Sequence, residues 1–189
     1  MALNNLLNVC TRRAAVGANA GRIAIQSSDY DVPWNYGSFS ISRGFNMEGE
    51  FAGEVRSEEV EIVPLDDDPA LAHLTRLDLL KIDAEGHELE VLRGATGLIA
   101  RFRPDLFVEP GSADNVDALR DLMAGHGYAG FWFVGQRFGP GDVFTPAPGS
   151  AHYDVNLVFR PSEAAPLNLP KLVGAGDLAH GIPVLESFG

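Results

Sequence analysis

Residues 77–110 read LDLLKIDAEGHELEVLRGATGLIARFRPDLFVEP and contain the clearest structural pattern in the chain. The apolar run at 77–82 predicts a short strand that is buried on both faces. Apolar side chains then recur at helical spacing, which predicts a helix that Gly94 bends or interrupts and Pro104 ends. Residues 106–108 predict a second buried strand. The pattern therefore indicates one strand-helix-strand unit.

Polar side chains follow both strands of this unit. Asp83, Glu85 and His87 come directly after the first strand, and Glu109 ends the second. Ligands of open α/β sheets bind at the carboxyl ends of the strands, so these four residues are candidate site residues. Each also has a purely structural interpretation. Asp83 can cap the helix, Glu85 suits a first helical turn, His87 can bond the backbone, and Glu109 can serve as a turn residue.

Composition narrows the class of protein. The chain has 189 residues and a formal net charge of -12, which predicts one domain and argues against nonspecific binding to nucleic acid. Cys10 is the single cysteine, so a reducing compartment is expected. No apolar run approaches the roughly 20 residues of a membrane span, and the first residues lack the pattern of a secretory signal. These observations predict a cytoplasmic protein with no membrane partner.

The amino-terminal part of the chain predicts mainly strands. Residues 3–7 have the pattern of the last turns of an amphipathic helix, and residues 9–16 predict a strand. The sequence GANAG at 17–21 has two interpretations, a nucleotide-binding loop or a hairpin turn. An alternating strand pattern follows at 22–26 where a nucleotide loop would need a helix, so the hairpin is favoured. Residues 27–53, rich in Gly, Ser and aromatics, predict either a segment packed on the sheet or a lid over a pocket.

Downstream, the chain alternates between strands and helices. Residues 59–65, 128–134 and 155–159 predict strands, a short helix at 70–73 is expected behind an Asp66–Asp68 cap, and a longer helix begins near 112. This alternation predicts an α/β fold with a largely parallel sheet. We expect residues 1–161 to form the domain and residues 162–189 to form an extended tail containing Pro and Gly.

The run LLKIDAEGHELEVLRGA at 79–95 resembles the signature of FkbM-type S-adenosylmethionine-dependent methyltransferases. Further similarities are the Asn-containing segment before 14–17, the Asn35-x-Gly37 turn, residues 65–67, and the Arg103-Pro104 pair leading to Glu109. The resemblance covers residues 3–160. It implies a Rossmann-like, mostly parallel, seven-stranded methyltransferase sheet. The family's cofactor-binding glycine loop would precede Met1, so we expect the first strand-loop-helix to be absent.

The resemblance also implies a reaction and a set of contacts. The cofactor would be S-adenosylmethionine, and the reaction O-methylation of a small-molecule or sugar acceptor. Ala15, Val16 and Asp83 would contact the cofactor, and Asn35 would contact the substrate. A hydroxyl nucleophile must lose its proton, for which a carboxylate or an imidazole in reach is suited. Glu85 or His87 is the expected base, with Asp83 contacting the substrate or the cofactor amine and Glu109 orienting the acceptor.

Two other functional classes are open to this sequence. Asp83-x-Glu85-x-His87, or His152-x-Asp154 together with His180, can be drawn as metal ligands. The second set resembles an iron-binding facial triad but lacks the all-β sandwich that usually hosts one, and we assign no metal. The other class is an inactive methyltransferase remnant that acts, if at all, by association. Exposed strand edges would favour such association, including homo-oligomers.

Overall fold

The computed structural model describes residues 8–45, 50–136 and 153–180. Within these ranges, 3-10 turns lie at Tyr36–Ser38, Leu65–Asp67 and Ala175–His180. In chain order the strands and helices are β1 (Ala15–Val16), β2 (Gly21–Ser27), β3 (Arg56–Val63), β4 (Leu79–Ile82), α1 (Glu88–Arg93), α2 (Thr96–Phe102), β5 (Asp105–Val108), α3 (Ala113–Gly125), β6 (Tyr128–Gln136) and β7 (Tyr153–Pro161).

The described strands form two mixed sheets, ordered β1-β3-β2 and β4-β5-β7-β6. In the four-stranded sheet β4 and β5 are parallel, with Ile82 opposite Val108, whereas β7 runs antiparallel to both of its neighbours, β5 and β6. The prediction of a mostly parallel sheet is therefore wrong. β4, β5 and β6, which follow one another through helices, still run in the same direction. A helical crossover is the usual connection between parallel strands. β7 inserts between β5 and β6 in the opposite direction.

The predicted strand-helix-strand unit is present as β4, α1, α2 and β5. Its helix is interrupted at the predicted residue, since α1 ends at Arg93 and α2 begins at Thr96. A Cβ built on Gly94 would lie only 2.1 Å from the backbone oxygen of Gly17. No side chain fits there, so the break brings α1 against the segment that follows β1.

The expectation that β4 is buried on both faces is wrong. β4 is the edge strand of its sheet, and Leu79 is 58% exposed whereas Ile82 is 3% exposed. An apolar run alone does not tell an edge strand from a central one, because both can bury one end of the strand.

The segment around β1 also differs from the prediction. Of the strand expected at 9–16, only β1 forms, and β1 pairs with β3 rather than with β2. Residues 17–21 therefore connect two strands that lie on either side of β3 and do not form a hairpin. The helix predicted at 3–7 lies outside the described residues.

The expected helix at 70–73 is absent, and residues 69–73 form turns instead. The acids expected to cap this helix are Asp66, Asp67 and Asp68. Asp68 accepts a hydrogen bond from the backbone N–H of Ala70 at 2.9 Å. Asp66 caps a different element. Its carboxylate accepts from the backbone N–H groups of Gly97 at 2.7 Å and of Leu98 at 2.8 Å, at the start of α2.

The core lies between the four-stranded sheet and its helices. α3 contributes its apolar face, on which Val116, Leu119 and Met123 are fully buried. The chain after β7 returns to this core, because Leu172 is 4% exposed and packs with it. The domain boundary at 161 stays a prediction. The largest fully buried core side chains are those of Trp132, Phe159, Leu92, Ile99, Leu106, Leu119, Met123 and Leu157. Among the described helices, none combines the length and the apolar character that a membrane crossing requires.

Candidate functional site

The loop that joins β4 to α1 has an unusual backbone. Glu85 lies in the left-handed region with φ 47°, and Gly86 follows with φ 96°. For a residue with a side chain this conformation costs on the order of 1–3 kcal/mol and persists only where the surroundings hold it. The loop is closed by a hydrogen bond from the backbone N–H of His87 to the oxygen of Ala84 at 3.1 Å.

This loop forms one side of a cavity of about 390 Å³. Four of the residues predicted from the sequence line it: Asp83, Glu85, His87 and, from β1, Val16. The structure thus brings the amino-terminal sheet and the β4 loop to one site. The other lining residues are Leu65, Leu80, Lys81, Ile82, Ala84 and Val91, together with Gly37, Phe39 and Ile41.

The aromatic-rich segment that begins at residue 27 is hydrogen-bonded to the β4 loop. The buried hydroxyl of Ser40 donates to the backbone oxygen of Glu85 at 2.8 Å. Phe39 and Ile41, on either side of Ser40, line the cavity. Sequence reasoning identified the segment as a possible lid but did not identify these three residues. The signal available was the alternation of Phe39, Ser40 and Ile41, in which the outer two share a direction.

Asp83 is ion-paired with Lys81. The Lys81 Nζ lies 2.6 Å from the Asp83 Oδ2, and the two side chains are 53% and 41% exposed. Exposed pairs of this kind contribute little to stability, typically about 0–1 kcal/mol. The carboxylate of Asp83 can therefore exchange Lys81 for a cationic ligand at small cost.

His87 immediately precedes α1, and its side chain makes no capping hydrogen bond. A Cβ built on Gly17 would lie 3.6 Å from the His87 Nε2, so the imidazole reaches across to the residue that follows β1. His87 therefore lines the cavity on the side that faces the segment after β1.

The remaining predicted residues lie elsewhere. Glu109 lines a separate, smaller cavity of about 230 Å³ that also includes Val116, and its backbone N–H donates to the oxygen of Ile82 at 2.9 Å. Ala15 pairs with Ile62 within the sheet and does not line the Asp83 cavity. The Asn35 side chain accepts from the N–H of Gly37 at 3.3 Å, so it shapes the turn before Phe39.

A larger cavity of about 740 Å³ contains none of the predicted residues. Arginines and aromatic rings line it, and Phe39 borders both this cavity and the one at Asp83. Arg56 makes a two-pronged contact with Asp29, at 2.9 and 2.5 Å. Hydrogen bonding to Glu54, together with the nearby charge of Asp29, raises the pKa of Arg56. The positive charge of Arg56 is therefore already balanced by Asp29 and Glu54.

Within the described residues, no group of three His, Cys, Asp or Glu side chains could hold a metal ion, and this includes Asp83, Glu85 and His87. His152 and the side chain of His180 lie outside the described part of the chain, so the structure does not address the second metal set.

Sequence comparison identifies the family of the chain. A model of the methyltransferase FkbM domain matches residues 2–129. This range contains every residue that lines the Asp83 cavity. Comparisons with curated proteins and with solved structures found no match. Because the matched range covers more than half of the chain, this protein belongs to the FkbM methyltransferase family.

Proposed function

We propose that this protein is an S-adenosylmethionine-dependent methyltransferase that methylates a hydroxyl group of a small molecule or a sugar. The observation that carries the proposal is the meeting of Asp83, Glu85 and His87 with Val16 in one cavity. Membership of the methyltransferase family supports the reaction class. The Rossmann-like arrangement implied by the resemblance remains part of this proposal.

The residues of the cavity fit the proposed cofactor chemically. S-adenosylmethionine carries a positively charged amine and a positively charged sulfur, and when bound it would supply the methyl group. Asp83 and Glu85 offer carboxylates to the positive charges, and Leu80 and Val91 offer an apolar wall to the uncharged parts. A carboxylate beside a cationic amine forms a charge-assisted hydrogen bond, which is among the stronger kinds.

In this proposal Asp83 holds the amine after releasing Lys81, and His87 accepts the proton of the acceptor hydroxyl. Proton removal by a positioned base contributes typically about 10²–10⁴-fold to a rate. The rest of the catalysis is orientation, since fixing two reactants in line can supply roughly 7–11 kcal/mol. The bond from Ser40 to Glu85 and the contact of the loop with β1 would provide that rigidity.

The acceptor would occupy the larger cavity and reach the smaller one past Phe39. That ring is shared by the two cavities, and aromatic side chains on loops commonly carry binding. The roles predicted for Ala15, Asn35 and Glu109 are not needed for this arrangement and stay predictions. The lone Cys10 supports a reducing compartment, so we place the activity in the cytoplasm.

A second candidate function is binding without catalysis, in which the chain associates with a further copy of itself. The observation that favours it is the edge position of β4 and the exposure of Leu79, because such edges promote pairing. Measuring the size of the protein in solution at several concentrations distinguishes this candidate from a monomeric enzyme.

Calorimetric titration with S-adenosylmethionine tests the proposed function. We expect one-to-one binding that is weakened about tenfold or more in Asp83→Asn, the loss expected for a hydrogen bond to a charged group. Asp78→Asn is the matched control, since Asp78 pairs with Arg76 at 2.6 Å, as Asp83 does with Lys81, but lies outside the cavity. A folded protein that neither binds the cofactor nor transfers a labelled methyl group to hydroxylated acceptors would refute the proposal.

A further inference from the structure

Glu88 is buried although it is an acid. The residue is 1% exposed, and it is the one charged residue that is buried within the described part of the chain. It lines neither the Asp83 cavity nor the Glu109 cavity. A carboxylate is costly to bury unless its oxygens are hydrogen-bonded. The hydrogen-bond partners of Glu88 therefore indicate its structural role.

One oxygen of Glu88 bonds to the β4 loop, and the other bonds to Asn115 in the first turn of α3. Oε1 accepts from the backbone N–H of Gly86 at 2.8 Å, in the loop that carries Asp83 and His87. Oε2 accepts from the side-chain Nδ2 of Asn115 at 3.4 Å. The same nitrogen also donates to the backbone oxygen of Pro110 at 3.1 Å, in the loop that carries Glu109.

The backbones of these loops are also in contact. Gly86 and Gly111 both have a positive φ, 96° and 65°. A Cβ built on Gly111 would lie 3.1 Å from the nitrogen of Gly86 and 3.6 Å from the Glu88 Oε1. Glycine at 111 therefore allows a close approach of the loops as well as the left-handed turn.

The bond to Gly86 also acts on the strained part of the β4 loop. Glu85, the preceding residue, has the left-handed backbone conformation and lines the Asp83 cavity. Such a conformation persists only where neighbouring contacts enforce it. Glu88 supplies one such contact by accepting from the N–H of Gly86, and Ser40 supplies another by donating to the backbone oxygen of Glu85.

We propose that Glu88 and Asn115 form a clamp that positions the Asp83–His87 loop relative to the loop after β5. Glu88 is thus a positioning residue for the cofactor site: it touches no ligand and acts through Gly86 and Glu85. The clamp itself depends only on the contacts that join the two loops. Its effect on cofactor affinity rests on the proposed function.

The test uses the full chain and two readouts, hydrogen exchange of single amides and calorimetric binding of S-adenosylmethionine. Asn115→Ala removes the side chain that bridges Glu88 and Pro110, and it lies outside both cavities. We expect the Gly86 amide to exchange at least about tenfold faster, as for the loss of a hydrogen bond to a charged group, and cofactor affinity to fall by a similar factor. The amides of β7, in the core, should keep their exchange rates. A merely structural role would raise exchange throughout.

Two further variants sharpen the test. Glu88→Gln keeps an acceptor for Gly86 but turns an N–H group toward Asn115, so it should weaken the clamp as Asn115→Ala does. The double variant should then be no worse than either single one, because both remove the same link. Asp114→Asn, an exposed neighbour in the first turn of α3, is the matched control and should change neither readout.

Three results separate the possibilities. Unchanged exchange at Gly86 in both single variants would overturn the clamp. Faster exchange with unchanged cofactor affinity would overturn the positioning role. If the unmodified chain binds no cofactor, the proposed function fails and the positioning of a cofactor site fails with it, while the exchange data still decide whether Glu88 and Asn115 tie the loops together.

Discussion

The backbone oxygen of Gly17 occupies the place where a side chain on Gly94 would begin, with 2.1 Å between that oxygen and a Cβ built on Gly94. The break between α1 and α2 is therefore a docking point for the segment after β1. The same break is bonded to the turn after β3, since the N–H of Asp66 donates to the oxygen of Gly94 at 2.9 Å. Gly94 thus links the amino-terminal sheet to the helices that position the candidate site.

Gly94→Ala should lower the free energy of unfolding. The added methyl group meets backbone rather than a flexible side chain, and overpacking of this kind costs typically about 1–3 kcal/mol. Urea unfolding followed by circular dichroism measures the change. Gly125→Ala is the control, because a Cβ there meets nothing within 4 Å. It should stabilise the protein slightly, and equal effects of the two substitutions would contradict the close approach of Gly17.

Tyr128→Phe should stabilise the protein. The Tyr128 hydroxyl is buried and has no hydrogen-bond partner among the described residues, and such a group costs roughly 1–3 kcal/mol. Its ring packs under Arg103, whose Cζ lies 4.5 Å from the ring centre, and the phenylalanine ring keeps this contact. A lower thermal midpoint in Tyr128→Phe at neutral pH would show that the hydroxyl has a partner.

The same residue predicts a dependence on alkaline pH. Burial raises the pKa of Tyr128 from its ordinary value of 10.0 to about 12, against the opposing charge of Arg103. Between these values the unfolded chain releases the phenolic proton and the folded chain retains it, so stability falls as pH rises from about 10 to about 12. Unfolding measured from pH 8 to 12 should show a steeper fall in the unmodified protein than in Tyr128→Phe. Parallel curves would contradict the raised pKa.

His87→Asn should separate catalysis from binding. If His87 accepts the hydroxyl proton, the rate of methyl transfer should fall about 10²–10⁴-fold, while the affinity for S-adenosylmethionine changes little. Labelled methyl transfer and calorimetry measure the two quantities. The control is His73→Asn, since His73 is exposed and outside the cavities. An unchanged rate in His87→Asn would exclude His87 as the base.

Asp177→Ala should release the segment after β7. The Asp177 Oδ2 accepts from the Trp132 indole nitrogen at 2.8 Å and from the backbone N–H groups of Val173 and Gly174 at 2.9 and 3.1 Å. Losing these bonds leaves the buried indole N–H unpaired, which costs roughly 1–3 kcal/mol. Limited proteolysis should then cut after residue 161 more readily. Asp177→Asn, which keeps an acceptor oxygen, should be cut less, and equal cutting would contradict this role.

The sequence predicted the features that depend on neighbouring residues. The β4-helix-β5 unit, the break at Gly94 and the grouping of Asp83, Glu85 and His87 all follow from patterns within 34 residues. The pairing of β7 between β5 and β6 was missed, because strand order depends on contacts between distant residues that a local pattern does not encode. The walls that Val16 and Phe39 form in the Asp83 cavity likewise depend on contacts between distant residues.

Glu88 was missed for a different reason. By periodicity it is one of several polar residues on a helix, and an exposed position is the usual interpretation of such an acid. Its burial depends on two donors, Gly86 in the β4 loop and Asn115 in α3, which only the folded chain brings to it.

The Asp66 cap has a consequence for the order in which the chain folds. α2 has seven residues, far fewer than the roughly 12–15 that an isolated helix needs in water. The acceptor for its first N–H groups stands some thirty residues earlier in the chain. α2 cannot therefore act as an early local nucleus, and it gains its first turn only when the loop from β3 has closed onto it. A peptide of residues 88–103 is expected to show no helical signal in water.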